Sequence, residues 1–118
     1  MIEINGCKIG RGEPPYIVAE ISGNHGGDLH KALDLIRTAK WARANAVKFQ
    51  CYEPDTITID CDNEHFILKE GPWAGRKLHE LYSKAYTPFS WFPTLFAEAK
   101  AQNITAFASV FDLSSLRL

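Results

Sequence analysis

No stretch of this sequence approaches the ~18 consecutive apolar residues of a membrane-crossing helix. The first residues also lack the charged-then-apolar pattern of a secretory leader, so a cytoplasmic chain with no membrane partner is expected. Cysteine is sparse. Cys7, Cys51 and Cys61 are an odd set without CxxC spacing, which argues for free thiols and against a disulfide frame or zinc site. Neither sign of charge is in excess: 13 Lys and Arg against 14 Asp and Glu leave a formal net charge of -1. Without a basic field, nucleic acid is a poor partner, and any substrate has to be recognised locally. Internal repeats and low-complexity tracts are also lacking. What is present is ordinary for one soluble globular domain: 118 residues, 46% of them hydrophobic and 23% charged.

The chain opens with two short alternating runs, Ile2–Ile4 and Cys7–Ile9, around Asn5-Gly6, a strong signal for a two-residue hairpin. Gly10 to Pro15 is a linker that Pro14-Pro15 keeps extended. Tyr16 to Ile21 then reads as a strand and Ser22 to Gly27 as a dense turn. Glu20 is the odd residue here. Its side chain alternates onto the face of Tyr16 and Val18, and a carboxylate on a buried strand needs a partner, a polar site or access to water. Asp28 is placed to cap a helix whose apolar residues Leu29, Ala32, Leu33 and Ile36 fall on one face, and which ends near Ala42. Ala44 to Gln50 reads as a second strand, and strand, helix, strand makes a βαβ unit with parallel strands. Val47 and Phe49 share one face of that strand; Ala46, Lys48 and Gln50 share the other. On an open sheet such a polar face would be unremarkable, but parallel sheets are covered on both sides. Lys48 and Gln50 beside Glu20 then form a polar cluster at the C-terminal ends of the strands, where α/β folds place their sites.

The connection from Cys51 to Thr87 is too long for a simple βα loop. Its second half carries helical spacing, giving a short helix over Lys77 to Tyr86, while Asp55 to Trp73 reads as a lid-like excursion. Thr87-Pro88 looks like a helix cap followed by proline at the first helical position. A second main helix, rich in aromatics, ends near Gln102. Pro93 would break its interior, so Thr87 to Phe92 is read as a separate turn with the regular helix starting at Pro93. Ile104 to Ser109 is a third strand, with Thr105, Phe107 and Ser109 on one face, and Phe111 to Leu118 is a loop and a helix start. This order is the opening of a β/α protein. Three strands and two crossover helices leave sheet faces and edges uncovered, and a (β/α)8 barrel takes about 250 residues. An α/β fold is therefore expected, incomplete over these residues. His30, His65 and His79 are read as surface or packing residues, as are Trp73 and Trp91.

The stretches PYIVAEISGNHGGDLHKALDLI, AVKFQCYEPDTITI, LHELYSKAYTPFSWF and FASVFD resemble the sialic acid synthase family, the phosphoenolpyruvate-dependent nonulosonic acid synthases. Within it, SGNH and DTITIDCDNEHF are most similar to the pseudaminic acid branch. The resemblance runs from about Ile9 to Leu118. It implies a (β/α)8 TIM barrel, of which these residues are the N-terminal part, followed by a small antifreeze-like domain that they do not include, and a homodimer at full length. It also implies condensation of phosphoenolpyruvate with an open-chain N-acetylated amino sugar, with release of phosphate, aided by Mn2+ or Mg2+. Residue by residue, Glu20 matches the active-site glutamate and Lys48 the lysine that pairs with phosphoenolpyruvate. Gln50 matches a sugar-contacting position and Ser109 a hydroxyl on phosphoenolpyruvate. Asn24 and His25 match the Asn-His turn, read here as substrate-binding. No metal ligand is assigned, because the family's metal-binding histidines resemble positions on later strands. Arg43 and Asn103 stand where the family has helix-ending glycines, and Ala108 and Val110 replace a Ser and a Pro. Two other readings remain open: a non-catalytic piece completed by another chain through its sheet edges, and a different aldolase-like barrel enzyme.

Overall fold

The computed structural model describes residues 1–118. A β-hairpin comes first, β1 (Ile2–Ile4) pairing antiparallel with β2 (Cys7–Ile9) across Asn5-Gly6. Both turn residues have positive φ, 47° and 80°, as the mirror-image turn that matches strand twist requires. Asn5 also donates through Nδ2 to the Thr105 hydroxyl at 2.9 Å, which fixes the hairpin under the first residue of the last strand.

β3 (Val18–Glu20), α1 (Leu29–Trp41) and β4 (Ala46–Cys51) form the βαβ unit. α2 (Pro54–Ile57), a 3-10 turn (Glu64–Phe66) and α3 (Leu78–Ala85) occupy the long connection. A second 3-10 turn (Phe89–Trp91), α4 (Phe92–Ala101), β5 (Thr105–Val110) and the short α5 (Leu113–Leu116) complete the chain. The three strands are parallel in the order β3-β4-β5, with Glu20 beside Lys48, Lys48 beside Phe107, and Gln50 beside Ser109. None of the helices is long and apolar enough to cross a membrane.

β3 is shorter than the expected Tyr16 to Ile21. The Ile17 amide donates to the Asn45 side chain at 2.7 Å rather than to a strand, so the ladder begins one residue later. Asp28 caps α1 as its chemistry predicts, accepting from the amides of His30 and Lys31 at 2.8 and 3.3 Å. α1 and α4 end alike. Arg43 (φ 64°) and Asn103 (φ 51°) adopt the left-handed conformation, and the next amides, of Ala44 and Ile104, each reach back to a carbonyl in the last helical turn at 3.0 Å. Pro93 is accommodated as the sequence requires. The 3-10 turn precedes it, and Pro93 falls in the first turn of α4, where no intrahelical amide bond is lost.

Thr87 departs from its expected role. Pro88, not Thr87, occupies the cap of the 3-10 turn, and no side chain caps that turn. The Thr87 hydroxyl is used elsewhere.

The core lies on one side of the sheet. Ala19, Ile21, Val47, Phe49 and Cys51 face Ala32 and Ile36 of α1 and Phe92, Leu95 and Ala99 of α4. Phe49 packs edge-on to Phe92 and Phe96, with centroids 6.1 and 6.3 Å apart. Each such buried side chain contributes roughly 1.5–3 kcal/mol. The opposite face carries Val18, Glu20, Ala46, Lys48, Gln50, Thr105, Phe107 and Ser109, and there Val18 and Phe107 are about 40% exposed. Helices on one side only, with the parallel strands' other face left open, match the opening strands of a (β/α)8 barrel, whose helices form an outer ring.

Candidate active site

Two elements create the site: the C-terminal ends of the strands and the tight turn that follows β3. Parallel pairing with Glu20 opposite Lys48 brings two opposite charges to one face, and Lys48 Nζ lies 2.6 Å from Glu20 Oε2. The other carboxylate oxygen, Oε1, accepts from the Ser22 hydroxyl at 2.9 Å. Ser22 can reach back two residues because it holds a left-handed backbone (φ 46°), a conformation that side-chain-bearing residues adopt sparingly and that concentrates at functional sites. Both carboxylate oxygens are thus oriented.

Stability does not account for this arrangement. The side chains of Lys48 and Glu20 are 30% and 40% exposed, and ion pairs with that access to water contribute about 0–1 kcal/mol. A weakly stabilising pair on the inner strand face, held by a strained neighbour, fits a site that meets a ligand. Gln50 and Ser109 lie side by side one inward position further along, both half-buried on the same face. Asn24 is exposed in the turn.

His25 is different from the other residues expected to touch substrate. Its side chain is fully buried, its Nε2 is 2.9 Å from the Thr87 hydroxyl, and its Nδ1 accepts from the Gly27 amide at 3.1 Å. With Nδ1 as an acceptor, the proton sits on Nε2 and is donated to Thr87. Burial lowers the ring's pKa from its ordinary value, which favours this neutral form. The edge of the Trp91 ring closes the niche, 5.2 Å away between centroids. Neither nitrogen is open to a ligand, so His25 braces the turn from within. Gly23 makes the same turn fit closely: a Cβ there would collide with the Ala85 carbonyl at the end of α3.

Two contributors escaped the sequence. Ser22 carried a local signal, a hydroxyl two residues after a carboxylate in a Gly/Asn turn. Thr87 carried none, because its partner lies 62 residues earlier. Trp73 is covered by Arg76 and Lys84, 5.6 and 5.7 Å from its ring, and His79 bonds Asp55 at 2.7 Å, both within the excursion. No three side chains of His, Cys, Asp and Glu converge to hold a metal ion. The divalent metal implied by resemblance therefore finds no ligand set among these residues.

The sequence profile of the NeuB family matches residues 35–118. The chain belongs to the NeuB family. Its similarity extends to a pseudaminic acid synthase of Campylobacter jejuni, 47% identical over 96 residues, covering 81% of this chain and 28% of that protein. A pseudaminic acid synthase of Helicobacter pylori is 38% identical over 106 residues, covering 90% of this chain and 31% of that one. Among solved structures, the N-acetylneuraminic acid synthetase of Leptospira borgpetersenii, in complex with citrate, superimposes with a TM-score of 0.75 at 33% identity. That match covers 98% of this chain and 36% of the synthetase chain. Relative to these NeuB-type proteins, the 118 residues span about three tenths of the full length.

Proposed function

We propose that these residues form part of the active site of a nonulosonic acid synthase, which joins phosphoenolpyruvate to an open-chain N-acetylated amino sugar of the pseudaminic acid type. The observation that carries the reading is the Glu20–Lys48 pair on the inner strand face, in a chain of the NeuB family. In this reaction carbon 3 of phosphoenolpyruvate forms a bond to the sugar's aldehyde carbon, and the aldehyde oxygen takes up a proton. Water adds to carbon 2, and the carbon–oxygen bond to phosphate then breaks, leaving a 2-keto acid. Lys48 supplies a fixed cation for the anionic phosphoenolpyruvate, worth most where water is excluded. Glu20, oriented by Ser22 and Lys48, accepts hydrogen bonds from the sugar and serves the proton transfer at the aldehyde oxygen. Gln50 contacts the sugar and Ser109 contacts phosphoenolpyruvate, while Asn24 lies beside Lys31 and Asp34 of α1.

The exposed inner face supports a further part of the reading, that the remaining barrel strands are needed for activity; the antifreeze-like domain and the homodimer of the complete protein rest on the family resemblance alone. The test is phosphate release by that complete protein from phosphoenolpyruvate, with and without 2,4-diacetamido-2,4,6-trideoxy-altrose. Release that depends on the sugar is expected. Release at the same rate without sugar, or none at all, would refute the assignment.

A further inference from the structure

Thr87 belongs to no part of that chemistry, yet it is 1% exposed and its hydroxyl meets the Nε2 of a buried histidine. A threonine before proline has an easy local use as a helix cap, and here that use is given up. The exchange binds two distant segments. One is the turn from Ser22 to Gly27, which orients Glu20 through the Ser22 hydroxyl. The other is the junction between α3 and α4, which delivers Thr87 and Trp91 to the His25 ring. A second contact, Gly23 against the Ala85 carbonyl, joins the same two segments. The hydrogen bonds form a directed chain in which the Gly27 amide donates to Nδ1 and Nε2–H donates to Thr87.

We propose that Thr87 is a positioning residue for the reaction: by accepting the His25 Nε2–H it seats the Ser22–Gly27 turn and so sets the orientation of the Glu20 carboxylate. This rests on the reading of Glu20 given above. Loss of the hydroxyl would leave a buried donor unpaired while Nδ1 stays committed to Gly27, so the ring and turn would have to move. Both strands stay paired, but Glu20 loses the Ser22 bond that orients its Oε1 while Lys48 depends on no residue of the turn, so binding of phosphoenolpyruvate should survive while the sugar step suffers.

The experiment compares Thr87→Val and Thr87→Ser with wild type in the complete protein, alongside 15N spectra of histidine-labelled samples. For Thr87→Val, kcat should fall about 10- to 100-fold with the KM for phosphoenolpyruvate within about threefold, since small misplacements of a reacting group have such effects. Thr87→Ser, which keeps the hydroxyl, should stay within about threefold of wild type in both constants. The 15N shifts should report the Nε2–H tautomer in wild type and Thr87→Ser. A folded Thr87→Val protein with wild-type kcat would overturn the proposal, and so would the Nδ1–H tautomer in wild type, which needs no variant to be read. Absence of wild-type phosphate release together with the Nε2–H tautomer would count against the function while leaving the His25–Thr87 geometry supported.

Discussion

The two ends of the same three strands differ in a way that separates space from chemistry. At the N-terminal ends lies a wide concavity of about 690 Å3, bounded by Asn5, Arg43, Asn45, Phe96, Lys100 and Asn103. It is roomy and basic, yet its charge serves the helix ends. Lys40 Nζ donates to the Asn103 carbonyl at 2.8 Å, and cations near helix C-termini complement the backbone dipole. At the C-terminal ends opposite charges, a hydroxyl, an amide and a strained turn converge on one face. The wide cleft lies where the hairpin meets the ends of α1 and α4, whereas the chemistry follows the parallel register.

That contrast can be broken experimentally. The largest effect should come from Glu20→Gln, which keeps shape but removes the charge: phosphate release by the complete protein should fall about 100-fold or more. A Glu20→Gln protein within about threefold of wild type would return the site to a surface ion pair. Next is Gly23→Ala. The added methyl meets the Ala85 carbonyl, so urea denaturation should register a loss of about 1–3 kcal/mol, as for other overpacked positions.

Tyr52 gives an alkaline test at the same end. Burial, with a smaller contribution from Tyr82, pushes its hydroxyl up to about 12. The raised value means the stability is fully present below pH ~10, where the unfolded tyrosine would ionise, and is lost as pH rises towards about 12. The loss should be on the order of 2 kcal/mol and absent in Tyr52→Phe, followed by urea midpoints between pH ~9 and ~12. The smallest effect belongs to the opposite end. Arg43→Gly relieves a left-handed backbone and should raise stability by up to about 1 kcal/mol, read as a small rise in Tm, without changing turnover.

Local order explains what the sequence could reveal. Asn5-Gly6, Asp28 before an apolar stripe, and Pro93 after an aromatic run each act on their immediate neighbours, and each does in the structure what its chemistry predicts. Alternation in β4 likewise separated Val47 and Phe49 from Lys48 and Gln50. Resemblance supplied the helix-ending positions of Arg43 and Asn103, both of which hold positive φ. Non-local partners were illegible. Thr87 looked like a cap because its proline is adjacent and its histidine is not, and resemblance put His25 among the substrate-binding residues, since nothing in a Gly-rich turn announces that Trp91 will close over it. Within the excursion, Thr56 and Ile57 close a short helix that Pro54 opens, the Thr56 hydroxyl accepting from the Glu53 amide at 3.0 Å.

The most direct measurement pairs one lysine from each end. In the complete protein, Lys48→Met and Lys100→Met remove the same charge from the inner face at one end and the wide cleft at the other. Sugar-dependent phosphate release should fall at least about 100-fold in the first and stay within about twofold in the second. Equal activities, or a larger loss for Lys100→Met, would contradict the placement of the site at Glu20 and Lys48.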